Sequence, residues 1–136
     1  MLLTTAITCL ALNIYHEGRG EPELGQKIIA QTTMNRANQN SSNVCKEVVK
    51  PSQFSWTKDF VVGRELKVKG RPTDKASWIK CKAIARQALS GQLNVPKQYR
   101  SATSYHNTTV NPTWSNRMIR LGRVNRHIFY KDSINK

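Results

Sequence analysis

Met1 to Tyr15 carries no charged side chain, and two glycines, Gly18 and Gly20, follow almost at once. An uncharged, largely apolar run must be hidden from water, so this stretch constrains the fold more than any other. Ile7, Leu10, Ala11 and Ile14 recur at helical spacing, with Leu3 and Leu12 widening the stripe. That spacing predicts a helix from about Thr4 to His16. The glycines end it, since both favour backbone conformations that a helix interior does not use. The run is too short to span a bilayer and lacks the basic flank of a secretion signal, so it reads as a buried helix, not a transmembrane segment.

Glu17 stands where the apolar run gives way to the glycines. An acid there can lie on the floor of a cleft, where desolvation raises its proton affinity toward that of a general acid. A cap or an ion-pair partner is the plainer role for a Glu near a helix end. Position by itself leaves both open.

Glu21-Pro22-Glu23 opens a second helix, with Pro22 suited to the first turn and the acids facing the positive end of the helix dipole. Leu24, Ile28, Ile29 and Met34 give it an apolar face as far as about Asn38. Glu21, just before Pro22, reads as a cap, and Glu23 as exposed. Ser41-Ser42-Asn43 precedes a short helical piece with Val44, Val48 and Val49 that Pro51 closes. Gln53-Phe54-Ser55-Trp56 then places two aromatics and an amide in a loop, and Val61 and Val68 suggest a short strand pair. Thr73 or Asp74 caps a further amphipathic helix carrying Ala76, Ile79, Ala83, Ile84 and Leu89, which stops at Gly91. From Val95 to Tyr130 the pattern supports loops and short strands.

A chain of 136 residues suits a single domain, residues 1–136, large enough to bury roughly two thirds of its unfolded surface. Twenty-two Lys and Arg against eight acids give +14, a field that concentrates polyanions near the surface. Nucleic acid, anionic lipid and acidic bacterial envelope polymers all fit that charge. No helix-turn-helix, zinc-finger or aromatic ribonucleoprotein signature marks nucleic acid as a specific partner. Cys9, Cys45 and Cys81 are odd in number and far apart. No disulfide is expected of them, and Cys9 and Cys81 read as small buried hydrophobes in a reducing compartment.

His16-Glu17-Gly18-Arg19-Gly20 begins like a zinc-protease helix, but Gly20 stands where the second His ligand is required. A zinc site assembled from His16, His106 and His127 is a weaker alternative. No nucleophile elbow, reactive-Cys motif or phosphate-binding glycine loop is present. Carboxylate chemistry in an aromatic and amide-lined cleft is left, the usual setting for carbohydrate.

Glu17-Gly18-Arg19-Gly20-Glu21-Pro22, Gly25-Gln26 and Met34-Asn35-Arg36 resemble, in order, the first blocks of the SleB/CwlJ-type cell-wall hydrolases, known from spore cortex-lytic enzymes and phage endolysins. Pro51-Ser52-Gln53-Phe54-Ser55, Ala88-Leu89-Ser90-Gly91, Ala102-Thr103-Ser104-Tyr105-His106-Asn107, Pro112-x-Trp114 and His127-Ile128-Phe129-Tyr130 continue the series. The likeness spans about Leu10 to Tyr130. Gly18 replaces the usual Ala, Ser104 stands where a His is common, and Asn125 where Gly is frequent.

The resemblance implies an α+β fold, mainly helical and lysozyme-like, with short strands in the C-terminal half. It implies cleavage of the bond between N-acetylmuramic acid and N-acetylglucosamine in bacterial peptidoglycan, with Glu17 as the catalytic acid and no metal or organic cofactor. The substrate-side residues expected from it are Gln53, Phe54, Tyr105, His106, Asn107 and Trp114. Trp56, Trp78, Phe129 and Tyr130 are expected to be structural. An unperturbed Glu has a pKa of about 4.3, so proton donation near neutrality requires its charge to be disfavoured by about 2.7 kcal/mol.

The expected protein is a monomeric phage endolysin acting as a lytic transglycosylase. It is expected to accumulate in the host bacterial cytoplasm before lysis and reach the wall after membrane permeabilisation, with acidic envelope polymers adsorbed through its basic surface. A muramidase, an N-acetylmuramoyl-L-alanine amidase and a non-enzymatic polyanion binder are the alternatives.

Overall fold

The computed structural model describes residues 5–50 and 72–133. Gln53, Phe54, Trp56 and the strand pair expected around Val61 and Val68 lie outside the described residues. The N-terminal part is helical: α1 (Ala6–Gly18), α2 (Glu23–Arg36), α3 (Val44–Val48) and α4 (Lys75–Leu89). A sheet of β1 (Ser104–Asn107), β2 (Ile119–Val124) and β3 (His127–Lys131) follows. This is the expected α+β fold, with its strands in the C-terminal half.

α1 starts where Thr5 Oγ1 accepts a hydrogen bond from the Thr8 amide at 3.2 Å, an N-cap. From Cys9 to Tyr15 every residue is buried. A helix that is hidden all round belongs at the centre of a molecule, and α2, α3 and α4 pack about α1. Ile28, Ile29, Val44, Val48, Ile84 and Phe129 meet Leu10 and Ile14 in one core, each large aliphatic side chain contributing about 1.5–3 kcal/mol by its burial. Among the described residues no helix is long and apolar enough to cross a membrane.

α2 stops at Arg36, short of the expected Asn38, because Asn38 and Gln39 turn left-handed with φ of +56° and +59°. The Gln39 amide then reaches back to the Met34 carbonyl at 2.8 Å, closing the helix with a C-terminal capping turn. α4 is capped by Asp74, whose carboxylate accepts from the Ser77 amide at 3.2 Å. Its buried face is Cys81, Ile84, Ala85 and Ala88. Ile79, expected on that face, is 64% exposed: at 100° per residue it falls on the side opposite Cys81 and Ala85.

The cysteines depart from expectation. Cys9 and Cys45 form a disulfide, with Cα atoms 5.3 Å apart across 36 positions of sequence, because α3 packs on the first half of α1. Spacing along the chain carries no trace of that packing. The pairing removes cysteine usage as an argument for a reducing compartment. Cys81 is a free buried thiol as expected, pushed up to about 11 by burial.

The sheet is antiparallel in the order β1-β3-β2. Tyr105 pairs with Phe129 and His106 with Ile128. β2 is irregular between Arg120 and Gly122, where a β-carbon on Gly122 would overlap the Tyr99 hydroxyl and approach Gln98 Nε2 at 2.9 Å. Only glycine fits so close an approach.

Candidate active site

Glu17 occupies the last turn of α1, one turn beyond Asn13, so both project from the same side of the helix. Asn13 Nδ2 donates to Thr33 Oγ1 at 3.2 Å and reaches the Tyr105 hydroxyl at 3.5 Å. Tyr105, brought over by β1, donates its hydroxyl to the Glu17 carboxylate. Helix and sheet therefore meet through a polar chain that runs from buried Thr33 and Asn13 to Tyr105 and Glu17 on the cavity.

After Glu17 the backbone reverses. Gly20 takes φ of +89°, and the Glu21 amide bonds the Gly18 carbonyl at 2.9 Å. Gly18 remains helical and lies against α2: a β-carbon there would stand 3.0 Å from Ile29 Cδ1, and Gln26 Nε2 donates to its carbonyl at 3.1 Å.

Glu21 does not cap α2. Its buried carboxylate accepts from Asn125 Nδ2 at 2.8 Å, the Arg126 amide at 3.1 Å and Arg126 Nε at 3.0 Å, and meets His127 Nδ1 at 2.9 Å. It anchors the β2–β3 turn to the end of α1. Asn125 there is left-handed, with φ of +51°, a conformation that Asn tolerates.

Two adjacent residues of α2 position β1. Asn35 Nδ2 donates to the carbonyls of Arg100 and Ala102 at 2.9 and 2.7 Å. Arg36 Nη1 donates to the Thr103 carbonyl at 3.2 Å, and its Nε pairs with Glu47 at 2.8 Å. The strand carrying Tyr105 and His106 starts immediately after these tethers.

The space they enclose is a cavity of about 560 Å³. Glu17, Arg36, Ser104, Tyr105 and His106 line it together with Val110, Pro112, Trp114 and Met118. His106 stacks on Tyr130, rings 5.3 Å apart and 22° from parallel, and Trp114 meets both edge-on. The Tyr130 hydroxyl bonds His106 Nε2 at 2.8 Å, and His106 Nδ1 lies 2.8 Å from the Asn107 carbonyl. These bonds fix the imidazole as a wall.

Two carboxylates four residues apart acquire opposite acidities. Burial pushes Glu17 up to about 7, the Tyr105 hydrogen bond pulling only part of the way back. Burial also acts on Glu21, but the His127, Arg126 and Asn125 donors outweigh it and hold this group at about 2. Tyr105, buried and beside the Glu17 charge, is held well above the usual phenol range and stays a neutral donor. Such a divergence sorts a proton donor from a permanent anion.

Of the residues expected at the site, Glu17, Tyr105, His106 and Trp114 line one cavity. Asn107 does not line it: its side-chain oxygen accepts from the Thr109 amide at 3.0 Å and shapes the turn after β1. Gln53 and Phe54 lie outside the described residues. Phe129 is fully buried in the core, and Trp78 packs edge-on to Tyr15. Sequence reasoning missed Asn13, whose signal was an amide one helical turn before Glu17 in an otherwise apolar run. It also missed Asp132, which lines the same cavity and follows the last strand without a motif of its own. Among the described residues no group of three His, Cys, Asp or Glu side chains converges in a metal-binding arrangement.

The family model described as Cell Wall Hydrolase matches residues 20–130, beginning just past Glu17. No curated protein sequence matches the chain. Among solved structures, the catalytic domain of the Bacillus cereus SleB protein is 25% identical with a TM-score of 0.66, over 93% of this chain and 89% of that one. The catalytic domain of the germination-specific lytic transglycosylase SleB from Bacillus anthracis gives the same identity and TM-score over 93% of each chain. Ordered sequence blocks, fold and family match agree, and the chain is an enzyme belonging to the SleB/CwlJ-type cell wall hydrolase family.

Proposed function

We propose that the chain is a peptidoglycan lytic transglycosylase with Glu17 as its single catalytic acid, serving as an endolysin. The observation carrying this reading is a carboxyl group whose burial raises it to about 7, on a cavity lined by aromatic side chains. Near neutrality a large fraction of Glu17 is protonated while Glu21 is ionised, so one proton is available where a glycosidic oxygen can be received.

Glu17 gives its proton to the oxygen linking N-acetylmuramic acid to N-acetylglucosamine as the C1–O bond breaks and positive charge develops on the muramic ring. The resulting carboxylate takes the proton of the muramic 6-hydroxyl, and O6 closes on C1. The products are a 1,6-anhydro end and a free hydroxyl, with Glu17 reprotonated and no water consumed. Tyr105 holds the carboxyl in place throughout by its hydrogen bond. Trp114 and His106 offer flat faces to sugar rings, and the +14 charge favours adsorption to an acidic envelope. In the endolysin role the protein is held in the host cytoplasm until the membrane is breached.

Digestion of purified peptidoglycan by the wild type and by Glu17→Gln, with mass spectrometry of the products, tests the reading. Anhydro-muropeptides from the wild type and a loss of at least a hundredfold in rate for Glu17→Gln are expected. Reducing muramic ends would make the enzyme a muramidase, free stem peptides an amidase, and full activity in Glu17→Gln would remove the acid from its role.

A further inference from the structure

Beyond Glu17 the cavity continues into a second, polar lobe of about 340 Å³. The two share Arg36, Ser104 and Asp132, and the polar lobe adds Asn35, Asn38, Glu47 and Thr103. Among the described residues no aromatic or aliphatic side chain lines it, so it does not suit the face of a sugar ring. Its charges are unequal in their engagement. Glu47 is held by Arg36 at 2.8 Å and by Lys50 at 2.9 Å, and Arg36 is committed to Glu47 and the Thr103 carbonyl.

Asp132 differs. Its carboxylate accepts one side-chain hydrogen bond, from Thr103 Oγ1 at 3.3 Å, and among the described residues it has no cation within ion-pair distance. In a chain of net charge +14, Glu21, Glu23 and Glu47 hold cations and exposed Asp74, which has none among the described residues, is engaged in capping α4; Asp132 is an exposed carboxylate with neither engagement, and it stands at the junction of two lobes. Resting on the function proposed above, we propose that the polar lobe is a subsite for an ammonium group of the substrate, with Asp132 as its counter-ion and the side chains of Ser104 and Asn38 as its polar surround. On peptidoglycan an ammonium is supplied by the unlinked diamino-acid side chain of a stem peptide or by a de-N-acetylated glucosamine. Cross-linking removes the first and N-acetylation the second, so the subsite reads the modification state of the strand.

The test is titration calorimetry of soluble glycopeptide fragments against Glu17→Gln, which cannot consume them, and against Glu17→Gln/Asp132→Asn, in which Asn keeps the acceptor for Thr103. Three ligands are compared: a fragment with a free stem amine, the same fragment with that amine acetylated, and a stemless glycan with one free glucosamine amine. A free-amine ligand is expected to bind at least fivefold more tightly than its acetylated form, with the difference lost in the Asp132→Asn background. The amine that gives the effect identifies the source. General attraction to a basic protein has the opposite sign, since acetylation makes the fragment more anionic. Equal or tighter binding after acetylation, or a preference that survives Asp132→Asn, overturns the subsite. These binding readings do not depend on cleavage, whereas an inactive wild type would overturn the proposed function alone.

Discussion

At the residue scale, Glu17 and Glu21 demonstrate that neighbours in sequence need not be neighbours in environment. A carboxyl raised from 4.5 to about 7 is neutral in both folded and unfolded states below pH 4.5. Between 4.5 and 7 the folded state holds its proton more tightly, so stability declines as pH rises, by about 3 kcal/mol once pH passes 7. Glu17→Gln carries no such charge. It is expected to be more stable than the wild type by about 2–3 kcal/mol at pH 8 and nearly equal to it at pH 4.5, as read by urea denaturation at the two pH values. The activity of the wild type should fall as pH rises through about 7, where the donor loses its proton. Equal denaturation midpoints at pH 8 would mean that the acid is not desolvated.

At the element scale, the sheet is held to the helices by few but well-satisfied side chains. Glu21 is the chief of these, its side chain 1% exposed and its acidity held at about 2. Because the folded value lies below the ordinary 4.5, Glu21 stabilises the fold above that pH and its contribution, roughly 3 kcal/mol, is lost as pH falls toward 2. Glu21→Gln should cost a comparable amount at pH 7 and speed amide exchange in β2 and β3 more than in α1; uniform exchange in both would argue against the anchor. Sequence made the helices legible because each has its own apolar positions and its own stop, and α4 its own cap at Asp74. The strands were legible only as a region, since their pairing is decided by contacts between distant residues. Glu21 reads as a helix cap from its place before Pro22, because nothing nearby in sequence announces Asn125 to His127. Glu17 and Tyr105 were legible through ordered motifs; Asn13, fully buried behind them, carried only the signal of an amide in an apolar run, and Asp132 takes its position at the cavity from packing alone.

At the scale of the whole molecule, the Cys9–Cys45 bond closes a loop of 36 positions. Loop-closure entropy puts its stabilisation at about 4 kcal/mol. Reduction, or Cys45→Ser, should lower the melting temperature by on the order of 10 °C, measured by thermal denaturation with and without reductant; an unchanged midpoint would show that the bond does not form in solution. The bond also sets a mechanical datum for the enzyme. α1 is a strut clamped at Cys9, and Glu17 rides on the same strut about 12 Å further along. Packing on every side keeps the strut from swinging, and the clamp keeps it from sliding along its axis, so the alignment of Glu17 with Tyr105 on the opposing strand is referenced to a covalent point two helical turns away.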